Sequence, residues 1–243
     1  MGPQTDATSA LRVAMVSGAL SSVTALEMLN GANRAALIRP GGVAEIIQFQ
    51  DAMLEGDVYT LTNLLRGRRG TELFTGGHAA GDLFVLLDGV SRRGLPLTRI
   101  GGTLHHRLVG RGGELRDAPT NMATLMGRDL MPYAPAHLAL AGEVGGNIAV
   151  TWVRRTRVGG ALLDGTGDVP VSEDEELYEL VVYDGADNVL RTVADLSAPA
   201  FTYTAAMQAE DLPGGGPGRI AVWQISSQVG RGFETSLDLE FAP

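Results

Sequence analysis

The sequence has no cysteine among its 243 residues. The chain therefore cannot form a disulfide bond, and it has no thiolate nucleophile and no cysteine ligand for a metal. It also lacks a run of about eighteen apolar residues, so we expect no membrane-spanning helix. The first ten residues, MGPQTDATSA, contain neither the basic nor the apolar region of a secretory signal.

Positive charge and aromatic side chains are scarce as well. Lysine and arginine together number 19 against 28 acidic residues, which gives a formal charge of −9, and aromatic residues make up 5% of the chain. This balance disfavours general affinity for nucleic acid or an anionic membrane, because phosphate contacts need clustered positive charge. Glycine, with 33 residues, and hydrophobic residues, at 44%, are abundant. Short apolar runs separated by glycine favour β structure with a buried core.

The first half of the chain has the pattern of a β-rich domain that ends near Met131. Residues 43–67 alternate on both sides of Glu55-Gly56-Asp57, which predicts a β-hairpin. Ser22 precedes a helical pattern that runs through Leu29, so we expect Ser22 to cap a short helix. Further strands are predicted at 11–18, 82–89, 103–110 and 123–131, and the continuous apolar run at 82–89 predicts a buried strand.

The second half has the pattern of a β-sandwich. Pro132 and Pro135 disfavour a helix or a sheet interior at the boundary. After them come seven short apolar segments separated by turns, a spacing typical of a sandwich. Residues 211–218, DLPGGGPG, indicate a flexible loop. The sequence predicts a mainly β chain with a β-rich domain at 1–131 and a sandwich at 132–243, whose strands we expect at 136–141, 147–154, 177–183, 189–193, 200–204, 219–227 and 235–241.

Three arginines, Arg66, Arg68 and Arg69, lie in the segment LLRGRRGTELF, where the second arm of the hairpin leaves the predicted sheet. With the neighbouring glycines they could form an anion site from guanidinium and backbone N–H groups. Alternatively, the segment is a turn whose arginines pair with acidic groups of the same domain or of a neighbouring subunit. The spacing matches neither G-x-x-x-x-G-K-[ST] nor G-x-G-x-x-G, so a nucleotide loop has little support.

The remaining charged groups give no clear metal motif. Adjacent residues on a strand point to opposite faces, so His105 and His106 do not have the spacing of paired metal ligands. A metal site assembled from distant parts of the chain, with His78 or His137 among its ligands, is still possible. Residues 173–176, EDEE, lack the alternating oxygen ligands and central glycine of a calcium loop. We expect a solvated acidic loop there. It could meet the basic segment RRTRVGG, 154–160, within the long loop 155–176 or across a subunit contact.

Nothing in the sequence indicates an enzyme. The motif G-x-S-x-G is absent, and no pair among the 28 acidic residues stands out as a catalytic pair. We therefore expect no catalytic residue, no cofactor and no bound metal.

The aromatic residues of the second half have two interpretations. Trp152 is expected to anchor the sandwich core, and Trp223 is expected on the strand face of Ala221 and Ile225. A module that binds a receptor or a carbohydrate would instead need exposed aromatic residues on the sandwich loops, and the candidates are Tyr133, Phe201, Tyr203 and Phe233.

The second half resembles a fibronectin type III module. The resemblance rests on IAVTWVRR, which contains Trp152, and on IAVWQISSQVGRGFETS, which contains a G-x-G turn at 230–232 and Ser236. Two features depart from the module: no tyrosine stands near Arg219, and the loop 155–176 is long.

Most of the chain is similar to the C-terminal part of the large tail-tip, or host-specificity, protein of gene transfer agents and related tailed phages. The matching segments are LSSVTALEMLNGAN, EIIQFQDAMLEGDVYTLTNLLRGRRGTE, HAAGDLFVLLDG, MPYAPAHL, VTWVRRTRVGG and DVPVSEDEELYELVV. The resemblance implies a structural component of a tail tip or baseplate, hub or fibre, that assembles in the host cytoplasm. It also implies a homotrimer in the virion, other tail-tip proteins as partners, and a role in attachment to the host.

Overall fold

The computed structural model describes residues 5–91, 94–143, 145–159 and 169–241. As predicted, the protein is mainly β, with 44% strand and 9% helix. It divides into two compact units, an N-terminal unit, Pro3–Asp129, and a C-terminal unit, Leu130–Pro243. The middle of the predicted long loop, 160–168, lies outside the described residues. No helix in the described ranges is long and apolar enough to cross a membrane.

The N-terminal unit is built on one five-stranded sheet. Its strand order is β1-β4-β3-β2-β5, and every neighbouring pair is antiparallel. The predicted hairpin is confirmed, because its two arms are the longest strands of the sheet and turn at Gly56. The strands are β1 (Leu11–Ala14), β2 (Arg34–Ile38), β3 (Ala44–Glu55), β4 (Val58–Arg68) and β5 (Leu83–Leu86).

A short helix, α1 (Ala25–Leu29), precedes β2. Its cap is Thr24, and the expectation that Ser22 caps it is wrong. Thr24 Oγ1 accepts from Glu27 N at 3.2 Å, while a Glu27 carboxylate oxygen accepts from Thr24 N at 2.7 Å. This reciprocal capping box satisfies two backbone donors at once. Ser22 instead bonds across to the sheet, where its hydroxyl accepts from Ala52 N at 3.0 Å.

Strand β5 does not lie where its sequence suggests. The apolar run at 82–89 predicts a strand buried on both faces, but β5 is an edge strand on which Leu83 is 64% exposed and Val85 40% exposed. The other face is covered, because Phe84 and Leu86 pack against the sheet core. The outer face of the sheet is open to solvent at Leu83 and Val85, and the edge position leaves the backbone unpaired on one side. A continuous apolar run reveals neither feature.

The last part of the N-terminal unit is a two-stranded ribbon, residues 103–124. It consists of β6 (Thr103–Arg107), β7 (Thr120–Thr124) and the tip between them. The prediction of a strand at 123–131 is wrong at its C-terminal end. The last residue of β7 that pairs with β6 is Thr124, and residues Arg128–Leu130 form a 3-10 turn. Nine of the ten strand residues are exposed. Leu108, Leu115 and Met122 are more than half exposed, so the ribbon has almost no core of its own.

The C-terminal unit contains two sheets that enclose one core. The first sheet has three strands in the order β12-β9-β8. In the second sheet, the central strand β13 pairs with β10, β14 and β15, and β11 pairs with β10. The strands are β8 (Ala136–Ala141), β9 (Ile148–Val153), β10 (Tyr178–Asp184), β11 (Val189–Leu196), β12 (Ala200–Tyr203), β13 (Gly216–Ser226), β14 (Gly230–Arg231) and β15 (Thr235–Phe241). All seven predicted strands are present within a few residues of their expected bounds, and the two-residue strand β14 is additional.

The sandwich core joins both sheets. Val150 and Trp152 of β9 pack with Leu180 of β10 and Val222 of β13 in one buried cluster. Trp152 is therefore a core residue, as predicted, and its ring meets that of Tyr178 edge to face with centroids 5.2 Å apart. Trp223 is buried on the opposite face of β13 with Ala221 and Ile225, as strand alternation indicates.

One helix of the C-terminal unit was not predicted. This helix, α2 (Ala205–Asp211), is capped by Thr204, whose hydroxyl accepts from Met207 N at 3.2 Å. The predicted flexible loop at 211–218 is shorter than expected, because Asp211 ends α2 and β13 begins at Gly216.

The end of α2 ties two strands together through Asp211. Its carboxylate accepts from the Tyr203 hydroxyl at 2.7 Å and from two nitrogens of Arg191, each at 2.8 Å. Tyr203 is fully buried. Burial raises the pKa of Tyr203 well above its usual value, and the hydrogen bond to Asp211 raises it further.

The raised pKa of Tyr203 predicts a loss of stability in alkali. In the unfolded chain the Tyr203 phenol ionises near pH 10, whereas in the folded protein it stays neutral to higher pH. The contribution of Tyr203 to the free energy of unfolding is therefore complete below about pH 10 and declines as the pH rises further. Tyr203→Phe should cost about 1.5–3 kcal/mol at pH 8, the range for a hydrogen bond to a charged group. The difference from the unaltered protein should shrink at pH 11.

Urea unfolding followed by tryptophan fluorescence measures this, because Trp152 and Trp223 both lie in the C-terminal unit. A difference that stays constant between pH 8 and pH 11 would contradict the role of the Tyr203 hydroxyl.

Candidate functional site: the arginine turn

The segment LLRGRRGTELF, residues 64–74 and here called the arginine turn, leaves the sheet through a β-bulge. Ile46 pairs with Arg68 and Gln48 pairs with Leu65, so two residues of β4, Arg66 and Gly67, lie opposite one residue of β3. Gly67 has a φ of +59°, which a glycine adopts without strain. A bulge of this kind bends the strand and redirects its side chains.

Arg66 is directed at a buried carboxylate. Its Nε and Nη2 atoms donate to the two oxygens of Glu45, each at 2.7 Å, and Glu45 is 0% exposed. The Gly67 backbone N–H donates to the same carboxylate at 2.8 Å. The hydrogen bonds to Glu45 raise the pKa of Arg66, and the nearby charge of Asp6, 3.7 Å away, acts in the same direction. The bidentate geometry gives strength as well as orientation.

His78 completes the group, which we call the Glu45 cluster: Glu45, Arg66, His78 and Asp82. His78 Nε2 lies 2.9 Å from Glu45 Oε2, and His78 Nδ1 lies 2.8 Å from Asp82 Oδ2. Glu45 therefore has four nitrogen partners, about the number of acceptor sites that a carboxylate offers. The Glu45 carboxylate therefore has no acceptor site left for an added ligand, and the cluster links β3, β4 and the segment before β5.

The other two arginines also contact groups of the N-terminal unit. Arg68 Nε donates to Gln48 Oε1 at 3.4 Å, and Arg69 forms an exposed ion pair with Asp129 at 3.3 Å. Arg69 has a φ of +58°, so the chain turns sharply there. The three guanidinium groups point to different partners and do not converge on one anion site.

A second set of contacts joins the arginine turn to the segment that follows the ribbon. The guanidinium of Arg128 lies 4.9 Å from the ring centre of Phe74. At Gly70, with a φ of +74°, an added Cβ would lie 2.3 Å from the Arg128 carbonyl oxygen, so only glycine permits this approach. The turn thus holds the 3-10 turn that follows the ribbon, Arg128–Leu130, against the end of β4.

Of the two interpretations of the arginines, the structure supports the turn. Arg66 and Arg69 pair with acidic groups of the same unit. The partners Glu45, His78 and Asp82 were not predicted. One signal in the sequence points to Glu45: it is a single acid within the apolar stretch VAEIIQF. A carboxylate on a buried strand needs a cation as a partner.

Arg66→Ala should destabilise the N-terminal unit by about 3–5 kcal/mol, because it leaves the Glu45 carboxylate buried without its cation. The matched control is Arg69→Ala, which removes an exposed ion pair and should cost less than about 1 kcal/mol. This unit has no tryptophan, so hydrogen exchange of peptides from β3 and β4 in urea is the measurement. Equal small effects of the two substitutions would refute the central role of the Glu45 cluster.

The acidic run of the C-terminal unit meets its basic neighbours inside the chain. Arg157 Nη2 lies 2.9 Å from Glu173, and Arg154 bonds to Glu176. Arg155 stacks on the Tyr133 ring at 4.9 Å. Of the two arrangements that the sequence allowed, the contact lies within one chain. The Glu173 side chain is 5% exposed, whereas Asp174 and Glu175 are exposed, so the expectation of a solvated acidic loop holds in the middle of the run and is wrong for Glu173.

Arg157→Glu should destabilise the C-terminal unit by about 3 kcal/mol or more, because it places a second negative charge beside a buried carboxylate. The double variant Arg157→Glu with Glu173→Arg restores opposite charges and should recover part of the loss. Urea unfolding followed by tryptophan fluorescence compares the three proteins. Full stability of the single variant would show that the pair is not structural.

The histidines do not form a metal site in the part of the chain that the structure describes, where no group of three or more His, Asp or Glu side chains is arranged to hold a metal. His78 belongs to the Glu45 cluster. His105 and His106 are exposed on β6, and His137 is exposed on β8.

The aromatic residues proposed for surface recognition are not exposed. Tyr203 and Phe233 are buried, and Tyr133 and Phe201 are half-buried. Tyr203 belongs to the sandwich core, against which Phe201 also packs. The expectation that these four side chains could form an exposed platform is therefore wrong, because each of them is at least partly covered within its own unit.

Comparison with known proteins gives one family match. Residues 1–85 match the model of the family described as "Rcc01698-like, C-terminal", a name associated with gene transfer agents. The match covers about a third of the chain and ends at β5. No curated protein matches the chain.

Among solved structures, the chain is similar to one titled "Myokine structure", with 13% identity, a TM-score of 0.31, and coverage of 46% of this chain and 99% of that chain. It is also similar to the rat CD45 extracellular region, domains d3-d4, with 13% identity, a TM-score of 0.31, and coverage of 68% and 78%. TM-scores this low do not establish a shared fold.

Proposed function

We propose that the chain is a structural component of a phage-type tail tip or baseplate, as a hub or fibre protein. Its role is to contribute to tail assembly and to attachment to the host cell. The observation that carries the proposal is the match of residues 1–85 to a family associated with gene transfer agents. The wider resemblance of the sequence to tail-tip proteins extends the same assignment to the rest of the chain.

The ribbon, residues 103–124, supports a role in association. A two-stranded ribbon is at best marginally stable alone in water. Here its strands are exposed, and Leu108, Leu115 and Met122 are exposed at 76%, 63% and 70%. Burying such apolar side chains against a partner protein lowers the free energy of the complex. Neighbouring tail-tip proteins, or further copies in a trimer around the tail axis, would supply that cover.

We also propose that the C-terminal unit is a fibronectin type III-like module. Its sheets pair β8 with β9 and β9 with β12, and β11, β10, β13 and β15 in that order, as expected for such a sandwich. The proposal assigns the chain to the virion, with assembly in the host cytoplasm, and assigns it no catalytic step and no cofactor.

The alternative is a module that binds a receptor or carbohydrate directly at the host surface. It requires exposed aromatic residues on the sandwich loops. Because Tyr203 and Phe233 are buried, the described residues favour the structural role over this alternative.

Replacement of Leu108, Leu115 and Met122 by alanine should reduce incorporation of the chain into particles at least fivefold while both units stay folded. The physical reason is the loss of apolar surface that the assembly covers, about 1.5–3 kcal/mol for each fully buried large side chain. Quantitative mass spectrometry of purified particles, relative to the major tail protein, measures incorporation.

The matched control is Leu26→Ala with Val189→Ala, which shortens two apolar side chains exposed at 66% and 58% outside the ribbon. The control should be incorporated normally. Normal incorporation of the ribbon variant, or absence of the unaltered chain from particles, would contradict the proposal.

A further inference from the structure

The two edge strands of the N-terminal sheet face each other across a cleft. Residues of β1 and of β5 line the same cleft of about 680 Å³. Leu11 of β1 and Phe84 of β5 pack against the same core residues, so the sheet is curled and its edges approach. Within the described ranges, no strand pairing or backbone hydrogen bond joins β1 to β5. The sheet is therefore an open barrel with one gap.

Strand direction explains why the gap stays open and what would close it. The sheet has five strands and every neighbouring pair is antiparallel, so β1 and β5 run in the same direction. They cannot continue the antiparallel ladder with each other. One additional strand, antiparallel to both, would close a barrel of six strands and satisfy both rows of unpaired backbone groups.

The composition of β5 points to the same missing neighbour. All four of its residues, LFVL, are apolar. Natural edge strands are protected by charge, proline or bulges, and β5 has neither a charged residue nor a proline. Leu83 and Val85 are nevertheless exposed, at 64% and 40%. The sequence of β5 thus suits an interior strand, which it becomes when the gap is filled.

Charge at the rim defines the chemistry of the missing strand. Arg12 of β1 lines the cleft and is exposed, and it has no ionic or hydrogen-bonding partner among the described residues. It lies between Leu11 and Val13, which face the core, so alternation places Arg12 on the outer face. A strand in the gap that carries a carboxylate opposite Arg12 would complete an ion pair there.

We propose that the cleft between β1 and β5 binds an extended segment of a neighbouring polypeptide by strand addition. The segment runs antiparallel to both edges, places apolar side chains on Leu11 and Phe84, has no proline in its paired positions, and presents a carboxylate to Arg12. As a contact within a tail assembly, this inference rests on the proposed function, although the binding itself is measurable on the isolated chain.

A tethered peptide tests the proposal. Because the chain has no cysteine, Ser17→Cys provides a unique attachment point at the exposed end of the cleft that follows β1. The probe is the amidated peptide Cys-Gly-Gly-Thr-Val-Glu-Val-Thr-Val, joined through a disulfide bond, in which antiparallel register from residue 17 places the glutamate opposite Arg12. From this position only a peptide attached at its N-terminus can run antiparallel to β1. Tethering raises the effective concentration to the millimolar range, so weak pairing becomes measurable.

The expected result is that hydrogen exchange at residues 11–14 and 83–86 slows at least tenfold. Three matched controls should each reduce this protection: the reversed sequence with a C-terminal cysteine, a peptide with proline for the central valine, and a peptide with lysine for glutamate. In the protein, Arg12→Ala should remove the preference for glutamate over lysine.

Unchanged exchange with every peptide, or equal protection by the forward, reversed and proline peptides, would overturn strand addition. Failure here would leave the incorporation of the chain into particles unaffected. Conversely, protection by the forward peptide would stand even if the chain were absent from particles, so the two proposals fail separately.

Discussion

The N-terminal unit depends on one buried carboxylate. Glu45 is 0% exposed and joins Arg66, Gly67 and His78, and through them the end of β4 and the segment that leads into β5. A buried carboxylate without these partners would cost several kcal/mol, so the partners must be in place for the sheet to keep its form. The cleft between β1 and β5 exists only while the sheet is curled and its two edges stay apart. The arginine turn also holds the 3-10 turn that follows the ribbon, through Arg69 with Asp129 and Arg128 with Phe74.

The two units differ in charge as well as in fold. The N-terminal unit has thirteen arginines and twelve acidic residues, for a net charge of +1, whereas the C-terminal unit has six arginines and sixteen acidic residues, for a net charge of −10. Many of the acidic groups in the sandwich are paired, as Asp211 with Arg191 and Glu173 with Arg157. The two surfaces that we propose as binding sites, the ribbon and the cleft between β1 and β5, both belong to the N-terminal unit. We therefore expect association to depend mainly on that unit.

Much of the fold could be predicted from local patterns. Alternation located the β3–β4 hairpin and the seven sandwich strands, and it placed Trp152 and Trp223 correctly. The errors arose where non-local contacts decide the outcome. An apolar run does not reveal whether a strand lies at an edge, so the sequence does not predict the edge position of β5. The Glu45 cluster joins residues 33 positions apart, and nothing in the spacing of LLRGRRG identifies Glu45 as the partner. The sequence does not predict α2, because its cap, Thr204, also fits the end of the strand expected at 200–204.

Under the proposed function, the chain is a structural part of a tail tip. Cryo-electron microscopy of purified particles from the strain that encodes it tests this most directly. The account predicts density for the chain at the tail tip in three copies around the tail axis, with the ribbon covered by a neighbouring subunit. Particles that lack the chain, together with a monomeric protein free in the cell extract, would contradict it.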